Sequence, residues 1–193
     1  MGLANGEGST FATNMRSCFS ADTYDASNNQ WPSTVGGYIG TFSGTAATVE
    51  ADAAGTFGAL NQDQPYLKGT TASKVAFGEI QGAGSFCAKT RYTGDTQKRI
   101  LTGETTNWLL GHWMGKTGVA HDGSWIIDAN RVSPTTDWEN MCCQNAGQSC
   151  WINGVKYTGN EVPGGVESVS INPREYWGKG EESDWGAAFI ASW

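Results

Sequence analysis

Charge is what this chain has least of. Only 16% of its 193 residues are Asp, Glu, Lys or Arg, and the balance is acidic at −7. The twelve basic residues are scattered. Phosphate neutralisation needs grouped Lys and Arg, so nucleic acid is not an expected partner. Leu is scarce, and no apolar run approaches the roughly 20 residues that span a bilayer. His occurs twice, at His112 and His121. The five Cys, at positions 18, 87, 142, 143 and 150, lack CxxC spacing, which argues against a structural zinc. No phosphate-cradling loop, dinucleotide glycine pattern, Gly-x-Ser-x-Gly elbow or Asn-x-Ser/Thr sequon occurs. The start, Met1-Gly2-Leu3-Ala4-Asn5-Gly6, has neither a basic n-region nor an apolar h-region. The expectation is a protein that is not exported or whose leader has been removed.

What the chain does have is Gly, at 27 residues, and Trp, at 9. Gly-, Thr- and Trp-rich sequences poor in Leu, Glu and Lys favour strands and turns over helices. Residues 1–30 are polar and weakly patterned, and read as an irregular arm anchored by Phe11 or Phe19. Residues 31–193 read as one domain. From Ser85 the strand signal is strong: Ser85–Tyr92 alternates and stops at Thr93-Gly94-Asp95. Lys98–Thr102, Asn107–Trp113 and Thr117–His121 follow. Asp122-Gly123 then marks a hairpin back into Ser124–Ile127, and Asn153-Gly154 marks another between Cys150–Ile152 and Val155–Tyr157. Strands every eight to twelve residues give the rhythm of an all-β sandwich or barrel.

Three segments, in order, resemble the concanavalin A-like (laminin-G-like) lectin/glucanase superfamily. They are Phe86-Cys87-Ala88-Lys89-Thr90-Arg91-Tyr92, the run from Trp138-Glu139-Asn140-Met141-Cys142 to Trp151-Ile152-Asn153-Gly154-Val155, and Asp184–Trp193. The resemblance covers about residues 60–193 and implies a two-sheet antiparallel β-sandwich of jelly-roll type. Glucanases of that fold need two carboxylates flanking the scissile bond, on one strand face as Glu-x-Asp-x-Glu. No such run occurs; the nearest is Asp137-Trp138-Glu139, without a third acid. The expectation is therefore a non-catalytic recognition module, lectin-like or adhesion-type, binding a glycan or a protein. A structural subunit packed into a larger assembly is the alternative.

The candidate ligand site is Asn107, His112 and Trp113. Aromatic faces stack on sugar rings, and Asn and His bind hydroxyls. Adjacent residues of a strand face opposite sides, so His112 and Trp113 cannot both be core if one face is solvated. Packing of both Trp108 and Trp113 between the sheets, with His112 a structural histidine, is the competing reading. No cofactor is required. Calcium, which the family often holds, has candidate ligands in Asp122, Asp128, Asn130 and Asp137, without diagnostic spacing. Disulfides in an oxidising compartment suit the cysteines, with one left over by parity. Cys143 and Cys150 are close enough in sequence to bridge a hairpin, with Cys142–Cys150 as the competitor; pairing through Cys143 points Cys142 at the core.

Overall fold

The computed structural model describes residues 14–58, 61–81, 84–144, 149–159, 167–172 and 180–193. Sixteen strands run in order. β1 (Ser17–Ser20), β2 (Gln30–Pro32), β3 (Ile39–Gly44) and β4 (Thr48–Asp52) come first. β5 (Gln64–Gly69), β6 (Ser73–Gln81), β7 (Ser85–Tyr92) and β8 (Leu101–Gly103) follow. Then come β9 (Trp108–Trp113), β10 (Lys116–Asp122), β11 (Ser124–Ile127) and β12 (Glu139–Gln144). β13 (Ser149–Ile152), β14 (Val155–Thr158), β15 (Glu167–Ile171) and β16 (Trp185–Ser192) complete the chain. One 3-10 turn, Ala21–Thr23, is the sole helical element among the described residues.

The strands form two antiparallel sheets packed as a sandwich. The first sheet has the order β14-β13-β12-β7-β16-β5-β4, with β1 also on β16; the second has the order β11-β10-β9-β8-β15-β6-β3-β2. Residues 14–30, expected as an irregular arm, instead enter both sheets. β1 pairs with β16 in the register Ser17↔Ser192, and Phe19 is buried against Trp31 and Phe77. Phe11 lies outside the described residues. The expected hairpins form at Asp122-Gly123 and Asn153-Gly154, the latter with positive φ at both turn positions, as a two-residue hairpin of matching twist requires.

Inward residues of both sheets build the core, among them Leu67, Phe86, Tyr92, Leu110, Met141, Ile171 and Ile190. Trp31, Trp108 and Trp185 belong to it, while Trp113, Trp125, Trp151 and Trp193 are only half-buried. The Trp185 indole N–H donates to the Ser73 carbonyl at 3.0 Å, satisfying its one polar group.

Two disulfides leave adjacent residues of β12 in opposite directions. Cys143–Cys150 ties β12 to β13 on the core side, and Cys87–Cys142 ties β12 to β7 on the outer side. Cys142 thus faces away from the core, contrary to the expectation from sequence, because strand alternation gives the inward position to Cys143. Cys18 is the free cysteine. Residues 145–148, which join the β12–β13 pair, lie outside the described residues. No helix among the described residues is long and apolar enough to cross a membrane.

Candidate functional site

The outer face of the first sheet carries side chains that meet only because of strand order. On β7, alternation turns Cys87, Lys89 and Arg91 outward. Arg91 reaches across β16, where its rung partner is Gly186, to Asp52 on β4. Its Nε lies 2.9 Å from Asp52 Oδ2, and its Nη2 donates to Oδ1 at 3.1 Å. The Trp138 indole N–H donates to Asp52 Oδ2 at 2.9 Å. The guanidinium also lies over the rings of Phe57 (3.9 Å), Tyr66 (5.2 Å) and Trp138 (5.4 Å). The charge of Arg91 is therefore matched by one carboxylate and sandwiched by aromatic faces. A buried charge needs such partners, and a planar guanidinium suits them. Burial pushes the Tyr66 hydroxyl up to about 12, so it stays a neutral acceptor for Arg91 and donor to Glu50.

Beside this cluster, sharing Phe57 and Trp138 with it, lies a groove of about 640 Å³. Trp138 and Phe57 supply its apolar surfaces, and Lys89, Asp137, Asn140 and Asn153 are among its polar walls. Asn140 and Lys89 face each other across the β12–β7 ladder. The Asn153 side chain accepts from the Asn140 N–H at 2.8 Å and donates to the Trp138 carbonyl at 3.3 Å, which holds the β13–β14 turn against the groove. The Lys89 ammonium is held by Gln64 and lies 5.8 Å from the Trp138 ring; burial lowers its pKa. The lining combines aromatic faces with amides, a carboxylate and an ammonium, the mixture that a polyhydroxylated ring uses.

The two acids of Asp137-Trp138-Glu139 are split. Asp137 lines the groove, whereas Glu139 points between the sheets and is fully buried. There it meets His112, with Nδ1 and Oε2 3.3 Å apart, and Thr90 sits 3.4 Å from the same nitrogen. Gly111, at positive φ beside the β9–β10 bulge, leaves room for the carboxyl; a Cβ there would stand 2.8 Å from Glu139 Oε2. Burial drives the two groups apart, lowering His112 to about 3 and raising Glu139 to about 8. The pair is an internal polar contact that touches no groove.

His112, expected beside a ligand, is thus turned into the sandwich and has no exposed surface. Trp113 faces outward from the same strand and packs on Trp125 with centroids 5.0 Å apart. Trp125 in turn meets His121 edge-on at 5.0 Å, and His121 Nδ1 is 2.6 Å from the Asn107 carbonyl. Trp113, Trp125 and His121 therefore form one outward row, of which the sequence reading picked out only Trp113; Asn107 meets its end through the backbone carbonyl alone, its side chain accepting from Arg99 at 2.9 Å. The places of His121 and Trp125 on either side of the Asp122-Gly123 hairpin, where they pair, were the available signal. Of the calcium candidates, Asn130 is occupied with the Thr117 N–H and Val132 carbonyl, and the Asp128 carbonyl receives Lys116. No group of three His, Cys, Asp or Glu side chains that could hold a metal gathers among the described residues.

No family model and no curated protein matches the chain. Solved structures match its fold. Domain 4 of a GH43 extracellular arabinanase from Geobacillus stearothermophilus, in complex with arabinotriose, aligns with a TM-score of 0.53 at 16% identity, over 92% of this chain and 89% of that one. A Trypanosoma rangeli sialidase mutant displaying trans-sialidase activity aligns at 0.56 and 9% identity, over 93% of this chain. The same sialidase in complex with 2,3-difluorosialic acid, as the covalent intermediate, aligns at 0.57 and 9% identity. The chain spans only 30% of either sialidase structure's length. At these identities the likeness is one of fold: a two-sheet β-sandwich that also occurs within carbohydrate-processing enzymes.

Proposed function

We propose that this chain is a non-catalytic glycan-recognition module of the concanavalin A-like type, and that its binding site is the groove beside Arg91, Asp52 and Trp138. The observation that carries the reading is the lining: the exposed Phe57 ring and an edge of the buried Trp138, with Lys89, Asp137, Asn140 and Asn153 around them in about 640 Å³. Similarity of fold to carbohydrate-processing domains supports it. Binding without hydrolysis follows from the carboxylates. Hydrolysis needs two, either side of one bond. Asp52 is committed to Arg91 and Trp138, Glu139 is on the far side of the sheet, and among the described residues Asp137 is the one carboxylate that lines the groove. Two disulfides fit an oxidising or extracellular environment, where glycans are met.

The outward row of Trp113, Trp125 and His121, with Asn107 at its end, is a second aromatic surface on the opposite sheet. Its two half-buried indoles support a shallower contact there. The structural-subunit alternative is less well supported. It calls for one contiguous apolar patch, and the exposed large apolar side chains Ile39, Val49, Phe57, Met114 and Val155 sit on separate strands and turns.

A glycan array followed by titration calorimetry tests the reading. Asp137→Ala and Asn140→Ala are each expected to weaken binding at least about tenfold, or about 1.4 kcal/mol, with the unfolding midpoint unchanged. No retained glycan, or equal binding by both variants, overturns it.

A further inference from the structure

We propose that the groove continues along the β7–β12 ladder into a single cleft for a linear oligosaccharide, with Trp151 and Trp193 as a distal stacking subsite. The inference rests on the glycan reading of the groove and extends it from one sugar to a chain.

The register supplies the argument. Outward partners on β7 and β12 follow each other as Lys89↔Asn140, Cys87↔Cys142 and Ser85↔Gln144. The first rung belongs to the groove. The other two line a second cavity of about 540 Å³, together with Trp151, Trp193 and Asn14. Neighbouring rungs on one face are two residues apart. From Trp138 to Gln144 the face therefore runs about 20 Å at about 3.4 Å per residue, well beyond a single sugar ring.

The rung of the second cavity next to the groove is a disulfide. Cys87–Cys142 fills it without a long projecting side chain, so this ladder raises no wall between the two cavities. The two indoles stand on opposite sides of the ladder, Trp151 at the disulfide rung and Trp193 at the Ser85 rung. Trp151 is paired with Cys142 on β13, and Trp193 follows β16, its backbone N–H donating to the Ser85 carbonyl at 3.0 Å. Both rings are half-buried. Stacking on an indole is how an apolar sugar face is held, while hydroxyls need the amides and charges found at the other end. The second cavity also carries polar edges at Ser85, Gln144 and Asn14, and it continues the polar groove rung by rung. That continuity favours an extension of the same ligand over a separate apolar partner.

The test is calorimetry with arabinan-, xylan- and galacturonan-derived oligosaccharides, each from disaccharide to hexasaccharide. Affinity is expected to rise about tenfold with chain length for the class that binds, or about 1.4 kcal/mol. Trp151→Ala should remove that gain, Trp151→Phe should retain most of it, and disaccharide binding should be unchanged in both. Trp193→Ala provides the same test from the other flank, independently of β13 packing. Affinity flat with length, or a gain that survives both alanine variants, overturns the extended cleft and leaves the groove intact. Binding of none of these oligosaccharides by the unaltered protein overturns the cleft, whereas retention of no glycan on the array overturns the glycan reading on which it depends.

Discussion

Glu139→Gln should change how stability depends on pH, because a carboxyl and an imidazole are sealed together between the sheets. Both side chains are fully buried, 3.3 Å apart, with Tyr92 packed edge-on against the imidazole. Burial holds Glu139 at about 8, above its ordinary 4.5. The folded protein thus keeps a proton that the unfolded chain releases. This contribution is complete below pH 4.5 and is lost as pH rises through 8. Burial holds His112 at about 3, below its ordinary 6.5, with the opposite sign. That contribution is complete above 6.5 and is lost as pH falls through 3. Between 4.5 and 6.5 the two slopes cancel, so stability is flat there and declines on either side. One proton is worth about 1.4 kcal/mol per pH unit, so roughly 2 kcal/mol disappears between pH 6.5 and 8. Glutamine keeps the shape and an acceptor for the Gly118 N–H but cannot ionise. Urea unfolding followed by tryptophan fluorescence at pH 5, 6.5 and 8 measures the difference. The variant should lose the alkaline decline, and its acidic decline should begin at pH 6.5 instead of 4.5, because nothing then offsets the His112 slope. Parallel pH profiles for the two proteins would falsify the assignment of the alkaline limb to Glu139.

Removing either disulfide should destabilise the fold, but unequally. Loop entropy assigns about 4 kcal/mol to Cys87–Cys142, which closes a separation of 55 residues, and about 2.4 kcal/mol to Cys143–Cys150, which closes 7. Paired Cys→Ser variants in denaturant unfolding check the order, and a costlier loss of the short loop would contradict it. Asn172→Ala should cost about 3 kcal/mol. Its buried Nδ2, with two N–H groups, lies within 3.1 Å of the Thr70, Ser73 and Ser183 carbonyls, and its Oδ1 accepts the Ser183 N–H at 2.8 Å, from a backbone at φ 58 that alanine tolerates poorly. A loss below about 1 kcal/mol in the same assay would show those groups finding other partners.

Strand existence was legible in the sequence from Ser85 onward because alternation and turn chemistry are local. Ser85–Tyr92 alternates wherever it is placed, and Asn153-Gly154 can close a two-residue hairpin without knowing its neighbours. The Cys143–Cys150 pairing was legible for the same reason, since one short loop joins the two strands. Before Ser85 the signal was weaker. β1 carries Phe19 into the core only by pairing with β16, at the far end of the chain, and no local pattern announces that.

What the tertiary structure alone decided is which residues meet. Asp52, Tyr66, Arg91 and Trp138 come from four separate stretches of chain, and they converge because β4, β5, β16, β7 and β12 are neighbours in that order. Cys87 finds Cys142 by the same adjacency, across 55 residues. Trp113 could be read as outward from its own strand, yet its partner Trp125 and the inward contact of His112 with Glu139 depended on what lay across the hairpin and across the sandwich. Periodicity is a property of one strand and survives in the sequence. A site is a property of several strands at once, and strand order is set by the burial of the whole core.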